Sequence, residues 1–371
     1  MNKTLKLPSF TKSIFDNYQL VDKGGYGVVH NYRDVEEEYA AIRNKAGIYD
    51  ATANGLFKIT GDSFLEFTNE LITIDIEFLD IEKSVFTLML EDSGDIVDLV
   101  TLYLDEDHIL LETSPERREI IFQMLNEHNS KQQVEIEDLS EEFAILQVEG
   151  PLAWKVCEKL IDFEISALPF QSFCKTEIEG QSTMLARTGL TGEYGYKIFI
   201  RSDQANGLVN FLLDQQESDG DVILVGHKAL SITMLEIRQP NIEFDLNGLS
   251  VFEAAVEWLI TSNKEYFIGK ENLMNKQRKN HSKVVVGFSV EENIGIQRGD
   301  VVLMDKIVGE IIQIEYSYSL GKYIGLILIA KEIGVSNLTM DVVIERLNCP
   351  IQLKTISSPY VVPLSWTNKI T

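Results

Sequence analysis

Arg187-Thr188-Gly189-Leu190-Thr191-Gly192-Glu193-Tyr194-Gly195-Tyr196 is the stretch from which the rest of the chain can be read. Its three glycines within seven positions allow positive φ and a close approach of backbone to a ligand, and Glu193 stands in the middle of that loop. A carboxylate there can accept two parallel hydrogen bonds from a guanidine-like edge, a ring N–H beside an exocyclic amine. Composition alone leaves a plain loop as the other reading.

Upstream, Asp98 interrupts the apolar run Ile96-Val97-Asp98-Leu99-Val100-Thr101-Leu102-Tyr103. Period-two alternation puts it on the face of Ile96, Val100 and Leu102, where a carboxylate is costly unless something pairs with it. If the opposite face is the buried one, Asp98 is simply solvated.

Around these two points the chain alternates helical and strand patterns. Residues 35–48 read as a helix, 56–61 as a strand, and 64–71 as a helix that Asp62 and Ser63 can cap. Strands at 84–90 and 96–104 flank an Asp-Ser-Gly turn, and a third at 109–113 precedes a helix over 115–129. The mixture repeats as a strand at 143–148, a helix at 151–160, strands at 183–187 and 196–200, and a helix at 204–215. From about Val284 the pattern is nearly all strand, with turns at Gly295, Gly299, Gly309 and Gly321, and the apolar run 324–330 suits one buried strand. The polar segment 217–221 reads as a linker, and the basic stretch 275–282 marks the last domain boundary.

Composition narrows the function classes. Across 371 residues, 58 Asp and Glu oppose 33 Lys and Arg, a net charge of −25. Such a surface repels phosphate backbones, so no nucleic-acid partner is expected. No apolar run is long enough for a membrane span. Three widely spaced Cys without a C-x-x-C pair argue against disulfides and cysteine-bound zinc. With no signal-like run in residues 1–12, they point to the cytoplasm. The five His never fall at i, i+4 or in H-E-x-x-H, so no metal is expected, and Gly24-Gly25-Tyr26-Gly27 lacks the spacing of a phosphate loop.

The stretch 187–196 is similar to R-T-G-Y-T-G-E-D-G-[FY] of the folate-dependent aminomethyltransferases, the glycine-cleavage T-protein and its relatives. Other segments follow in the same order. Gly24-Gly25-Tyr26 resembles G-G-W, residues 42–50 resemble V-R-x-x-A-G-[LM]-F-D, and residues 93–98 resemble G-G-I-[VI]-D. Residues 146–151 are similar to L-x-[LV]-Q-G-P, Phe252-Glu253 to P-[LF]-E, and residues 267–271 to D-F-I-G-[KR]-E. The resemblance spans residues 15–348. It implies an α+β fold, a three-domain cloverleaf around a central folate-binding cavity. The domains would be 1–140, with discontinuous contributions, 141–280, and a β-rich C-terminal domain at 281–371. Tetrahydrofolate would be the acceptor co-substrate. By the same resemblance Asp98 matches the catalytic aspartate and Glu193 the glutamate that holds the pterin edge, with Arg187, Tyr103, Phe86 and Tyr196 as further folate contacts.

The departures from the family concern the donor side. S-H-M-G reads Ala51-Thr52-Ala53-Asn54-Gly55, the second aspartate of the usual pair is Leu99, and V-N-A-x-N reads Glu112-Thr113-Ser114-Pro115-Glu116. In the A-R-D-x-L-R-x-E helix, Leu230 replaces the folate-contacting arginine, so that Arg238 or Lys228 would have to meet the acidic tail of folate. The K-G-C-Y-x-G-Q-E signature of the iron–sulfur-assembly paralogues is missing. These changes favour transfer of a methyl group from a small methylated donor to tetrahydrofolate, as in the folate-dependent demethylases. Standard aminomethyl transfer from a lipoyl carrier protein is the alternative, and a non-catalytic folate-binding homologue is a third reading.

Overall fold

The computed structural model describes residues 5–6, 18–130, 133–178, 180–214, 221–278, 282–292, 294–304 and 306–370. The linker at 217–221, apart from Asp221, residues 279–281 of the basic stretch, and most of residues 1–12 lie outside them.

Eleven strands form one sheet, in the spatial order Val222–Val225, Ala46–Asp50, Phe143–Glu149, Gly195–Arg201, Gln181–Arg187, Ser172–Ile178, Lys83–Leu90, Ile96–Leu104, His108–Thr113, Gly55–Thr60 and Glu135–Asp138. Every neighbouring pair is antiparallel except Val222–Val225 with Ala46–Asp50. The sheet runs without a break across residue 140, where a domain boundary was expected. Its two halves are joined by a single register pair, Ser172 with Lys83. Each half buries its own apolar cluster, one around Phe57, Val100 and Leu111, the other around Leu146, Ile198 and Leu224.

Residues 46–48, expected as the end of the first helix, belong to the strand Ala46–Asp50. The helix Val35–Asn44 begins at Asp34, whose side chain accepts the Glu36 N–H, and it stops two residues before this strand. A slot between Phe143–Glu149 and Val222–Val225 takes the segment instead. A Cβ on Gly47 would come within 2.8 Å of Val225, so this close approach needs glycine. No side chain caps the helix Phe64–Leu71, contrary to the expectation for Asp62 and Ser63.

The C-terminal module is a closed barrel, ordered Lys283–Val290, Lys322–Ala330, Lys306–Ser317, Val301–Met304, Thr339–Ile344 and Cys349–Ile356. Phe288, Val302, Ile311, Ile327 and Leu353 fill it. Gly309 lies inside one of its strands rather than at a turn. Together with the mixed sheet and its helices this makes an α+β protein with a β-rich C-terminal domain. Among the described residues no helix is long and apolar enough to cross a membrane.

Candidate functional site

A cavity of about 150 Å³ opens between the sheet, the hairpin Gln19–Lys23/Tyr26–Asn31 and the helix His227–Ile237. Residues between Lys23 and Glu243 supply its wall, and none of the lining residues comes from the barrel. Adjacent strands fix the polar part of that wall. Thr101 pairs with Glu112 across one ladder, and Lys197 with Gln147 across another. Opposed residues on neighbouring strands share a face, so each pair presents its side chains together.

Glu112 and Lys197 form a buried ion pair. Lys197 Nζ donates to both carboxylate oxygens of Glu112 at 2.8 Å, while Tyr103 Oη and Asn54 Nδ2 donate to the same carboxylate at 2.9 and 2.6 Å. Burial, with Glu112 alongside, pushes the Tyr103 phenol well above its ordinary value, so it stays a donor. Four hydrogen bonds to one carboxylate offset much of the cost of taking two charges out of water.

Next to Lys197, Gln147 is wholly buried. Its Nε2 donates to Glu149 at 2.8 Å and to the Thr188 carbonyl at 2.9 Å, which fixes the amide's orientation and leaves Oε1 without a partner among the described residues. Glu149 accepts from Thr191 Oγ1 and the Leu190 N–H as well. Burial pushes it up to about 7 against these bonds and against the pull of Lys197.

A second charged group stands elsewhere in the wall. Glu243 is ion-paired with Lys23 and lies 3.1 Å from His227 Nε2. Burial works to raise its pKa, but His227 and Lys23 win and bring it down to about 2.

Of the six residues expected at the site, Phe86 alone lines the cavity. Asp98 is fully buried, so the solvated reading fails, yet it is not part of the wall. Thr113 Oγ1, the Ser114 hydroxyl and N–H, and the Leu99 N–H all donate to it. The wall carries its strand neighbours Leu99 and Thr101 instead. Burial outweighs those four bonds and raises Asp98 to about 6.

Glu193 is also turned away from the cavity. It accepts from the Leu364 and Ser365 N–H groups at 3.1 and 2.9 Å, from Ser365 Oγ, and from Arg43 at 3.3 Å, so no acceptor is left for a pterin edge. Arg187 donates to the Leu168 carbonyl, Tyr196 packs in the core beyond the sheet, and Tyr103 supports the wall through Glu112. Lys228 and Arg238, proposed to meet the folate tail, are engaged by Glu315 and by Asp245 and the Ala254 carbonyl, and neither lines the cavity.

Sequence reasoning missed Gln147 and Lys197. The signal for Lys197 was the one used for Asp98, since it is a charge within the apolar strand Tyr196-Lys197-Ile198-Phe199-Ile200. All five residues of the departing segment 112–116 line the cavity, as does Leu230.

Sheet, barrel and a cavity walled by buried polar pairs define the class, an α+β protein with a polar internal cavity. Residues 16–264 match the GCVT N-terminal domain, and the chain belongs to the GCVT family. It is 28% identical to the aminomethyltransferase of Alkaliphilus oremlandii over 88% of this chain and 90% of that one. With the aminomethyltransferase of Bacillus subtilis it shares 28% identity over 94% and 98% of the two chains. In three dimensions it resembles the glycine cleavage system aminomethyltransferase T from Bartonella henselae, with a TM-score of 0.84, 20% identity, and coverage of 93% and 95%.

Proposed function

We propose that this protein is a tetrahydrofolate-dependent one-carbon-group transferase, an enzyme whose cavity holds the pterin of the folate. The observation that carries this reading is Gln147 Oε1, a buried acceptor in the wall with no partner among the described residues. An acceptor left this way costs about 1–3 kcal/mol unless a ligand N–H meets it, and a pterin offers such N–H groups. Phe86 and Tyr49 supply aromatic surface in the same wall. These residues fit the co-substrate. When bound, tetrahydrofolate supplies the ring nitrogen that takes the one-carbon unit. The protein's part is to orient that ring and to keep water from the transferred carbon.

The donor is an aminomethyl group. The relatives at 28% identity that cover most of this chain are aminomethyltransferases, and they support this donor over the small methylated compound expected from the sequence. Delivery by a lipoyl carrier protein goes with this reading. A specific observation still favours the methyl donor as a second reading. Leu99 and Leu230, which stand where the family has an aspartate and an arginine, both line the cavity and make that part of it apolar.

Two measurements test these readings. Calorimetric titration with tetrahydrofolate should give binding that Gln147→Leu weakens by about tenfold or more, equivalent to about 1.4 kcal/mol. Equal affinity in wild type and variant overturns the placement of the pterin. Reconstitution with lipoylated carrier, glycine decarboxylase, glycine and tetrahydrofolate should release ammonia in proportion to this protein. A protein that instead demethylates small methylated compounds takes the second reading, and one that binds folate without turning over either donor is the non-catalytic homologue.

A further inference from the structure

The wall at Lys197 and Gln147 has a polarity that the folate reading alone does not use. A lysine ammonium has three N–H donors. Two of those on Lys197 go to the oxygens of Glu112, and among the described residues none takes the third. Gln147, its register partner on the adjacent strand, offers the unpartnered Oε1. Its orientation is held by the Thr188 carbonyl, which can only accept and so needs Nε2 rather than Oε1 facing it. One residue with a donor to spare and one with an acceptor to spare therefore line the same cavity from paired strand positions, both buried.

We infer that Lys197 and Gln147 are specificity-determining residues that read a lactam edge, –NH–C(=O)–, of the bound ring. The ring N–H donates to Gln147 Oε1, and the adjacent carbonyl oxygen accepts from Lys197 Nζ. This deepens the folate reading and rests on it, since the 4-oxo pterin of tetrahydrofolate carries such an edge. It also reverses the expectation from the sequence, in which a carboxylate gripped a guanidine-like edge. Among the described residues the carboxylate bonded to Lys197 is that of Glu112, whose oxygens already accept four hydrogen bonds.

The consequence is discrimination between 4-oxo and 4-amino folates. A 4-amino analogue presents its acceptor and donor in the opposite order, so it meets the pair only by turning its ring over, with loss of contacts elsewhere in the molecule. A partner mismatch at buried polar groups is a strong source of selectivity.

The test measures dissociation constants for three probes, tetrahydrofolate, its 4-amino analogue and riboflavin, whose ring has a lactam edge but is no folate. The wild type should bind the 4-oxo folate about tenfold or more tighter than the 4-amino one. Lys197→Met combined with Glu112→Gln, which leaves no carboxylate buried without its cation, should bring that ratio close to one. Lys197→Arg, which keeps a donor, should retain it. Equal affinity of the wild type for both folates, or an undiminished ratio in the double variant, overturns the inference. If neither folate binds but riboflavin does, and the double variant loses it, the lactam reading stands and the folate reading falls. Binding of none of the three overturns both.

Discussion

Glu149 and Asp98 are carboxyls that burial drives toward protonation, Glu149 to about 7 and Asp98 to about 6. An acid whose folded pKa lies above its unfolded one favours the fold below the unfolded value, and that contribution is lost as pH climbs through the folded value. For Glu149 the window runs from 4.5 to about 7. Urea unfolding across it should show the wild type losing up to about 3 kcal/mol more than Glu149→Gln as pH rises, and parallel curves would contradict the assignment. Asp98→Asn should lower stability by about 1–3 kcal/mol, because an amide cannot accept from all four donors around that side chain. An unchanged unfolding midpoint with collapsed turnover would return Asp98 to the reacting centre. At this scale the sequence revealed that Asp98 was anomalous, since alternation placed it on an apolar face. It could not reveal where the carboxylate turns, because Thr113 and Ser114, 15 and 16 residues away, decide that. Gln147 carried no local signal, as its orientation depends on Thr188, 41 residues on.

Among elements, the loop around Glu193 shows how a specific sequence motif can serve packing rather than a ligand. Gly192 at φ +78° leads into Glu193, and a Cβ there would come within 2.7 Å of Pro363. The loop therefore sits against the C-terminal segment, and Glu193 pins that segment through the Leu364 and Ser365 amides. Glu193→Ala should speed hydrogen exchange at those two amides while tetrahydrofolate affinity changes little. Lost folate binding with unaltered exchange would reinstate Glu193 as a ligand contact. Most strands and helices were legible from periodicity and Gly or Asp punctuation, including the hairpin at 84–104 and the buried strand at 324–330. The segment 46–50 was not, because its state is set by strands about 100 and 180 residues away, and tertiary pairing overrides local preference.

For the molecule as a whole, the sheet and the barrel divide the labour. The cavity belongs to the sheet, the hairpin and the helix His227–Ile237, and the barrel contributes none of its lining. Tetrahydrofolate should accordingly slow amide exchange in Phe143–Glu149, Gly195–Arg201 and the helix, and leave Lys283–Ile356 unchanged. Protection spread evenly through the barrel would place the ligand elsewhere. The β-rich C-terminal module was legible from its run of strands. The single sheet spanning residue 140 was not, since strand order is a matter of non-local pairing. Among the contacts that join the two parts is a buried cluster in which Arg43 donates to Glu236 at 2.7 Å and to Glu193 at 3.3 Å, Ser317 of the barrel donates to Glu236, and Ser365 donates to Glu193. Its members stand at positions 43, 193, 236, 317 and 365, so it closes only when five segments far apart in sequence have come together. Cutting the chain before Leu364 would take three of its donors from the Glu193 carboxylate and leave it buried against Arg43 alone.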